Sequence, residues 1–132
     1  MAGSISYAYD DPKPQHGKNH KVTATWTSDS SGDVNGVEKV DIRGTIQAIV
    51  TDPSATAPSA NYDVVINDDE GIDVAGGLLA NRHTSTTERV VPFETIGTLT
   101  DVNRYVHGPL DIVVSNAGAA KIGDVVIYWV SD

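Results

Sequence analysis

The sequence predicts an all-β chain: an antiparallel β-sandwich or jelly-roll-like barrel, folded as a single domain. Three observations predict it. Apolar and polar residues alternate with a period of two through most of the chain, which marks half-buried strands. Clusters of Gly, Asn, Asp, Ser and Pro separate those segments at short, fairly even intervals. The one helix-like spacing, Val74 with Leu78 and Leu79, runs through Gly76 and Gly77. Each glycine costs a helix about 1 kcal/mol relative to Ala, so residues 72–82 read as a loop or irregular strand. A chain of 132 residues supplies one ordinary domain.

Taken in order, Ile5, Tyr7 and Tyr9 share one face of a first short segment. Residues 10–17 then break the pattern, because Pro12 and Pro14 remove backbone donors. Residues 1–18 therefore read as an N-terminal arm or edge strand, and residues 19–132 as the sandwich. As an arm, residues 4–20 would dock on another chain; as an edge strand, the segment would pair with its own sheet. Val22, Ala24 and Trp26 alternate with polar neighbours in the next strand. Residues 28–36 read as a hairpin connection. Val40, Ile42, Ile46, Ala48 and Val50 form the apolar face of the longest strand, and Gly44 on that face marks a bulge or a close backbone approach.

A loop follows over residues 52–60, then a strand through Tyr62, Val64 and Ile66, then a turn at residues 67–71. Residues 85–88 resemble a helix capping box, but Pro92 follows too soon, so residues 88–93 read as a strand. Residues 96–106 are weakly apolar and give no clear element. Leu110, Ile112 and Val114 form a strand, residues 115–121 turn, and Val125, Ile127 and Trp129 return. This last strand is apolar on both faces, which places it centrally or beneath a neighbouring subunit.

Composition narrows the function. Cysteine is absent, which excludes disulfides and Cys-based metal sites and suits synthesis in a reducing cytoplasm. Eighteen acidic against nine basic residues give a net charge of −9. That sign opposes binding to nucleic acid or anionic membranes, where Lys and Arg must neutralise phosphate. Residues 1–7 show no basic stretch leading into an apolar one, so no targeting segment is expected. No apolar run approaches the ~20 residues of a membrane-spanning helix.

Catalytic and metal signatures are weak. Residues 67–73 are rich in carboxylates before and after Gly71, yet the Glu that an EF-hand needs well beyond the glycine is missing, so they read as a solvated turn. His16 and His20 stand four apart, a zinc-ligand spacing on a helix, but the nearby Pro and Gly oppose a helix. His83 and His107 have no ligand-spaced partner. No nucleophile elbow, phosphate loop or dinucleotide fingerprint is present. No catalytic residue, cofactor or metal is therefore expected. Trp26 and Trp129 lie on apolar strand faces and are expected in the core, which leaves few aromatics for stacking on sugars. Candidate partner contacts are Ile5, Tyr7 and Tyr9 of the first segment, Asn81, Arg82 and His83 of the long polar loop over residues 81–87, and Tyr105.

Three stretches carry a family likeness together: Trp26-Thr27-Ser28 running to Ser31-Gly32; Tyr62-Asp63-Val64 with Asn67-Asp68 and Gly71-Ile72-Asp73-Val74; and Val114-Ser115-Asn116-Ala117-Gly118 with Lys121, Gly123 and Val125-Val126-Ile127-Tyr128. In order and spacing, over roughly residues 20–130, the chain resembles small virion-associated structural proteins of tailed bacteriophages. The resemblance implies a β-sandwich particle component without cofactor or catalytic residues. On that basis the expected function is capsid decoration: cementing the shell by bridging subunits of the major capsid protein. It implies a place in the virion after synthesis in the host cytoplasm, and a homo-oligomer, a trimer first. A neck, tail or fibre-base component is the alternative within that class. A carbohydrate-binding or adhesin domain is the alternative outside it.

Overall fold

A computed structural model describes residues 3–9, 19–35 and 38–131. Among them are nine strands and no helix: β1 (Ser4–Tyr9), β2 (Asn19–Thr27), β3 (Val40–Pro53), β4 (Asp63–Asn67), β5 (Glu88–Val90), β6 (Phe93–Ile96), β7 (Leu99–Asn103), β8 (Tyr105–Ser115) and β9 (Ile122–Ser131). Every pairing is antiparallel. The main sheet runs β1-β2-β9-β3-β8-β4, with β5 also on β3.

The sheet becomes a sandwich because β8 changes partner. Its first half pairs with β3 as far as Val40↔Leu110, and its second half pairs with β4 from Asn67↔Asp111. Val34 then bridges to Val114. The sheet thereby folds over its own apolar face. Trp26 of β2 and Tyr62, just before β4, stand far apart in strand order, yet their rings meet with centroids 5.7 Å apart. Val22, Ala24, Ile42, Ile46, Ile49, Val64, Ile66, Leu110, Ile112, Val125 and Ile127 fill the space between in one continuous core. Burying a side chain of that size contributes roughly 1.5–3 kcal/mol.

The alternating pattern sits where it is expected at β2 and at β9, which lies between β2 and β3. Both tryptophans are in the core. Two backbone features shape the long strand β3. Gly44 has φ 144°, and an added Cβ there would lie 2.0 Å from the Val130 carbonyl oxygen, so the glycine marks a close backbone approach. Beyond it the register slips between Ile46 and Ala48. The extra residue turns the strand over. Ile49 and Thr51 take the inward places, and Ala48 and Val50 pair on the opposite side with Tyr128 and Val126. The expected single face of Ile46, Ala48 and Val50 is corrected accordingly.

Other expectations change as well. Residues 28–35 do not form a hairpin connection, since β2 and β3 both flank β9 instead of each other; Gly36, at the end of that reading, lies outside the described residues. The segment packs on the turn after β8, through Ser28 Oγ to the Gly118 carbonyl at 2.5 Å and Ala117 N–H to the Gly32 carbonyl at 2.9 Å. The strand expected over residues 88–93 stops at Val90 and restarts at Phe93, around buried Pro92. Residues 96–106 hold a turn, β7 and the start of β8. At the N-terminus, β1 pairs with β2 along its whole length, from Ser4↔Thr27 to Tyr9↔Val22. Ser4–Tyr9 is thus an edge strand of its own sheet; the interruption over residues 10–17 lies outside the described residues.

Candidate functional site

Strand β3 carries an interrupted row along one side. β5 pairs with it at Ile49–Thr51 and β8 at Val40–Thr45, both antiparallel, so the two lie end to end. The chain leaves the sheet after Val90 and returns at Tyr105, beside the bulge at Gln47. The intervening residues form the β6–β7 hairpin. Ile96 pairs with Leu99 across Gly97-Thr98, and Gly97 has φ 61°. A glycine in the first place of a two-residue loop is the pattern of a type II′ hairpin.

Register decides which side chains share a face. Over the register slip between Glu94 and Ile96, β7 has one residue more than β6, so Leu99 and Asn103 fall on opposite sides of the hairpin. Their partners are Ile96 and Phe93. Ile96 and Leu99 therefore share one face and are 54% and 62% exposed, while Phe93, 42% exposed, lies on the other.

The base of the hairpin is tied down. Ile46 N–H donates to the Arg104 carbonyl at 2.9 Å, and the Asn103 side-chain amide donates to the Ile46 carbonyl at 3.1 Å. Arg104 Nη1 meets Glu94 Oε1 at 3.3 Å. The same guanidinium lies against the turn at Gly76, where an added Cβ would come within 2.8 Å of Nη2. The hairpin is thus held at its base and carries the exposed apolar pair Ile96 and Leu99 at its tip.

The residues expected as contacts do not gather into one patch. Ile5 is buried in the core, paired with Trp26, so it is corrected from a contact to a core residue. Tyr7 is half-buried and its hydroxyl donates to the Glu38 carbonyl at 2.8 Å. Its burial, with the carboxylates of Asp111 and Glu38 nearby, pushes its phenol up to about 12. Tyr9 is exposed at the end of β1. The polar loop is largely occupied with its own structure. Asn81 N–H donates to Asp63 Oδ1 at 2.8 Å, Arg82 meets Glu88 at 3.7 Å, and His83 Nδ1 accepts from the backbone N–H of Ser85 and Thr86 at 3.0 Å each. Tyr105 is exposed at the start of β8, next to the returning hairpin.

The acidic turn is engaged similarly. Asp68 Oδ1 accepts N–H groups from Glu70 and Ile72 at 2.9 and 3.0 Å. Asp73 accepts from Ile66, Ala75 and Gly77 at 2.9–3.1 Å. These carboxylates organise backbone. Among the described residues no three His, Asp or Glu side chains are grouped to hold a metal ion. His16 lies outside the described residues; His20 stacks on Trp129 with centroids 5.1 Å apart and bonds Ser131 Oγ at 2.9 Å. His107 faces Arg43 at 3.1 Å. No helix among the described residues is long and apolar enough to cross a membrane.

The hairpin face escaped the sequence reading. Its signal was present: Gly97-Thr98 flanked by Ile96 and Leu99 is a two-residue hairpin loop between apolar residues. Compared with protein-family models, curated proteins and solved structures, the chain matches none.

Proposed function

We propose that this chain is a non-catalytic structural component of a phage virion, a capsid decoration protein that grips the shell through the apolar face of the β6–β7 hairpin. One observation carries the reading. Ile96 and Leu99 stand exposed as a pair on one face at the tip of an element whose base is fixed by Ile46, Asn103 and Arg104. A rigid base lets such a face bind without a large ordering cost. The carboxylates of Asp63, Asp68 and Asp73 are all used to hold backbone N–H groups, in keeping with a binding role. The likeness to virion proteins over residues 20–130 supplies the particle, and the −9 charge suits solubility at high copy number. Shell subunits are the partner, and the chain works as a homo-oligomer, a trimer first. Trp26 and Trp129 are committed to the core, which counts against a sugar-stacking module.

The test is co-sedimentation with capsid shells assembled from the major capsid protein of a phage whose genome encodes this chain. Ile96→Glu and Leu99→Glu together should weaken binding at least about tenfold, or roughly 1.4 kcal/mol, while the melting temperature stays put. Normal shell binding by that variant removes the hairpin from the interface. Failure of the wild-type chain to bind any shell removes the decoration role, and binding to isolated tail or neck assemblies would put it elsewhere in the particle.

A further inference from the structure

Three polar atoms at one end of the core have no hydrogen-bond partner among the described residues: Trp26 Nε1, Thr51 Oγ1 and Tyr62 Oη. Their residues are at most 1% exposed. They belong to three parts of the fold: β2, β3 and the residue before β4. On the inner face of the sheet, Gly123 of β9 lies between Trp26 of β2 and Pro53 of β3. The Trp26 ring lies over that glycine, where an added Cβ would come within 2.5 Å of Cζ2. Gly123 thus leaves room for the indole to lean from β2 toward β3, where Thr51 points inward. Tyr62 comes down from the opposite layer, its ring 5.7 Å from the indole.

Burial raises the phenol of Tyr62, and a hydrogen-bonding contact with the Thr51 hydroxyl is the foremost influence opposing it. The two hydroxyls are therefore neighbours, although they share no well-aligned hydrogen bond. Buried donors and acceptors left unmatched are rare in folded proteins, and internal water is the usual remedy where several polar groups converge.

We propose that Trp26, Thr51 and Tyr62 enclose a single internal water molecule that joins the two layers of the sandwich. It accepts a hydrogen bond from the indole N–H and exchanges hydrogen bonds with the two hydroxyls. Three partners are typical for an internal water. The bulge in β3 makes the site possible, because without the slip at Gln47 Thr51 would face outward. The site is independent of the hairpin and of any role in a particle.

Water-to-protein magnetisation transfer on the ¹⁵N-labelled chain tests this directly. The Trp26 indole proton should show a cross-peak to water with the sign of a long-lived, bound molecule. Thr51→Val with Tyr62→Phe, nearly isosteric changes, should abolish it. Absence of the cross-peak in the wild-type chain overturns the proposal, and so does a cross-peak that survives in the double variant. If the double variant does not fold, a high-resolution crystal structure of the wild type decides. A density peak within about 3.2 Å of both hydroxyls supports the site; a direct Thr51–Tyr62 hydrogen bond with no such peak overturns it.

Discussion

Two excursions leave the sheet, and they are opposites. Residues 68–82 have no regular strand, yet they send Val74, Ala75 and Leu79 into the core. They also close the outer edge of β4: Val64 N–H bonds the Leu79 carbonyl at 2.9 Å, and Val74 N–H bonds the Ile66 carbonyl at 2.8 Å. Residues 93–103 form a paired two-stranded hairpin with a single bulge, yet they turn Phe93, Ile96 and Leu99 to solvent. Regularity of the backbone and burial of the side chains are therefore separate properties. The irregular loop serves stability by sealing an edge that would otherwise pair with another chain. The paired hairpin adds little to the core, which leaves its surface available for contact.

The largest expected difference lies in the apolar side chains. Leu79→Ala empties a fully buried site and should cost about 2–5 kcal/mol. Leu99→Ala should stay within about 0.5 kcal/mol, as exposed substitutions do. Urea unfolding of the two variants measures both; equal losses would mean that the hairpin face is covered in the free protein.

Next come the carboxylates. Asp73→Ala strips the acceptor from three backbone N–H groups and should cost about 1–3 kcal/mol. Glu94→Ala removes only the partly exposed contact with Arg104, worth at most about 1 kcal/mol. The same melts rank them, and a costlier Glu94 change would show that the hairpin base is coupled to the core.

Glycines give a smaller contrast. Gly97 and Gly76 have φ 61° and 64°, a conformation that costs other residues about 1–2 kcal/mol. Around Gly97 an added Cβ meets open space, whereas at Gly76 it meets the Arg104 guanidinium. Gly76→Ala should therefore lower the melting temperature more than Gly97→Ala. It should also raise amide exchange in the hairpin, because Arg104 joins the two excursions.

The smallest effect is one of pH. The loop after β2 is built like residues 68–77: Asp29 Oδ1 accepts the N–H groups of Ser31 and Asp33 at 2.8 and 3.0 Å. The hydrogen bond from Asp33 foremost holds this carboxyl below its ordinary value. A group with a lowered folded-state pKa stabilises above its unfolded value and loses that contribution as pH falls through the folded one. Acid unfolding of Asp29→Asn should accordingly show a slightly shallower loss of stability below pH 4 than the wild type. An unchanged acid profile would mean that this loop does not depend on its carboxylate charge.

Much of this was legible in particular residues. Val22, Ala24 and Trp26 face inward as their alternation requires, and so do Val125, Ile127 and Trp129. The period of two is a local consequence of strand geometry, so the sequence determined the class of fold, the tryptophans in the core and the irregularity of residues 72–82, where paired glycines oppose a helix. Partner choice is not local. Nothing near residues 28–36 announces that β9, almost a hundred residues later, will insert between β2 and β3. Nothing near Gln47 announces the slip that exchanges Val50 for Ile49 and Thr51 in the core. The hairpin follows the same rule. Phe93, Ile96 and Leu99 are as apolar as the core residues, and only the tertiary structure left them outside, because the edge of β3 was already filled by β5 and β8 and the chain between them had no sheet to join.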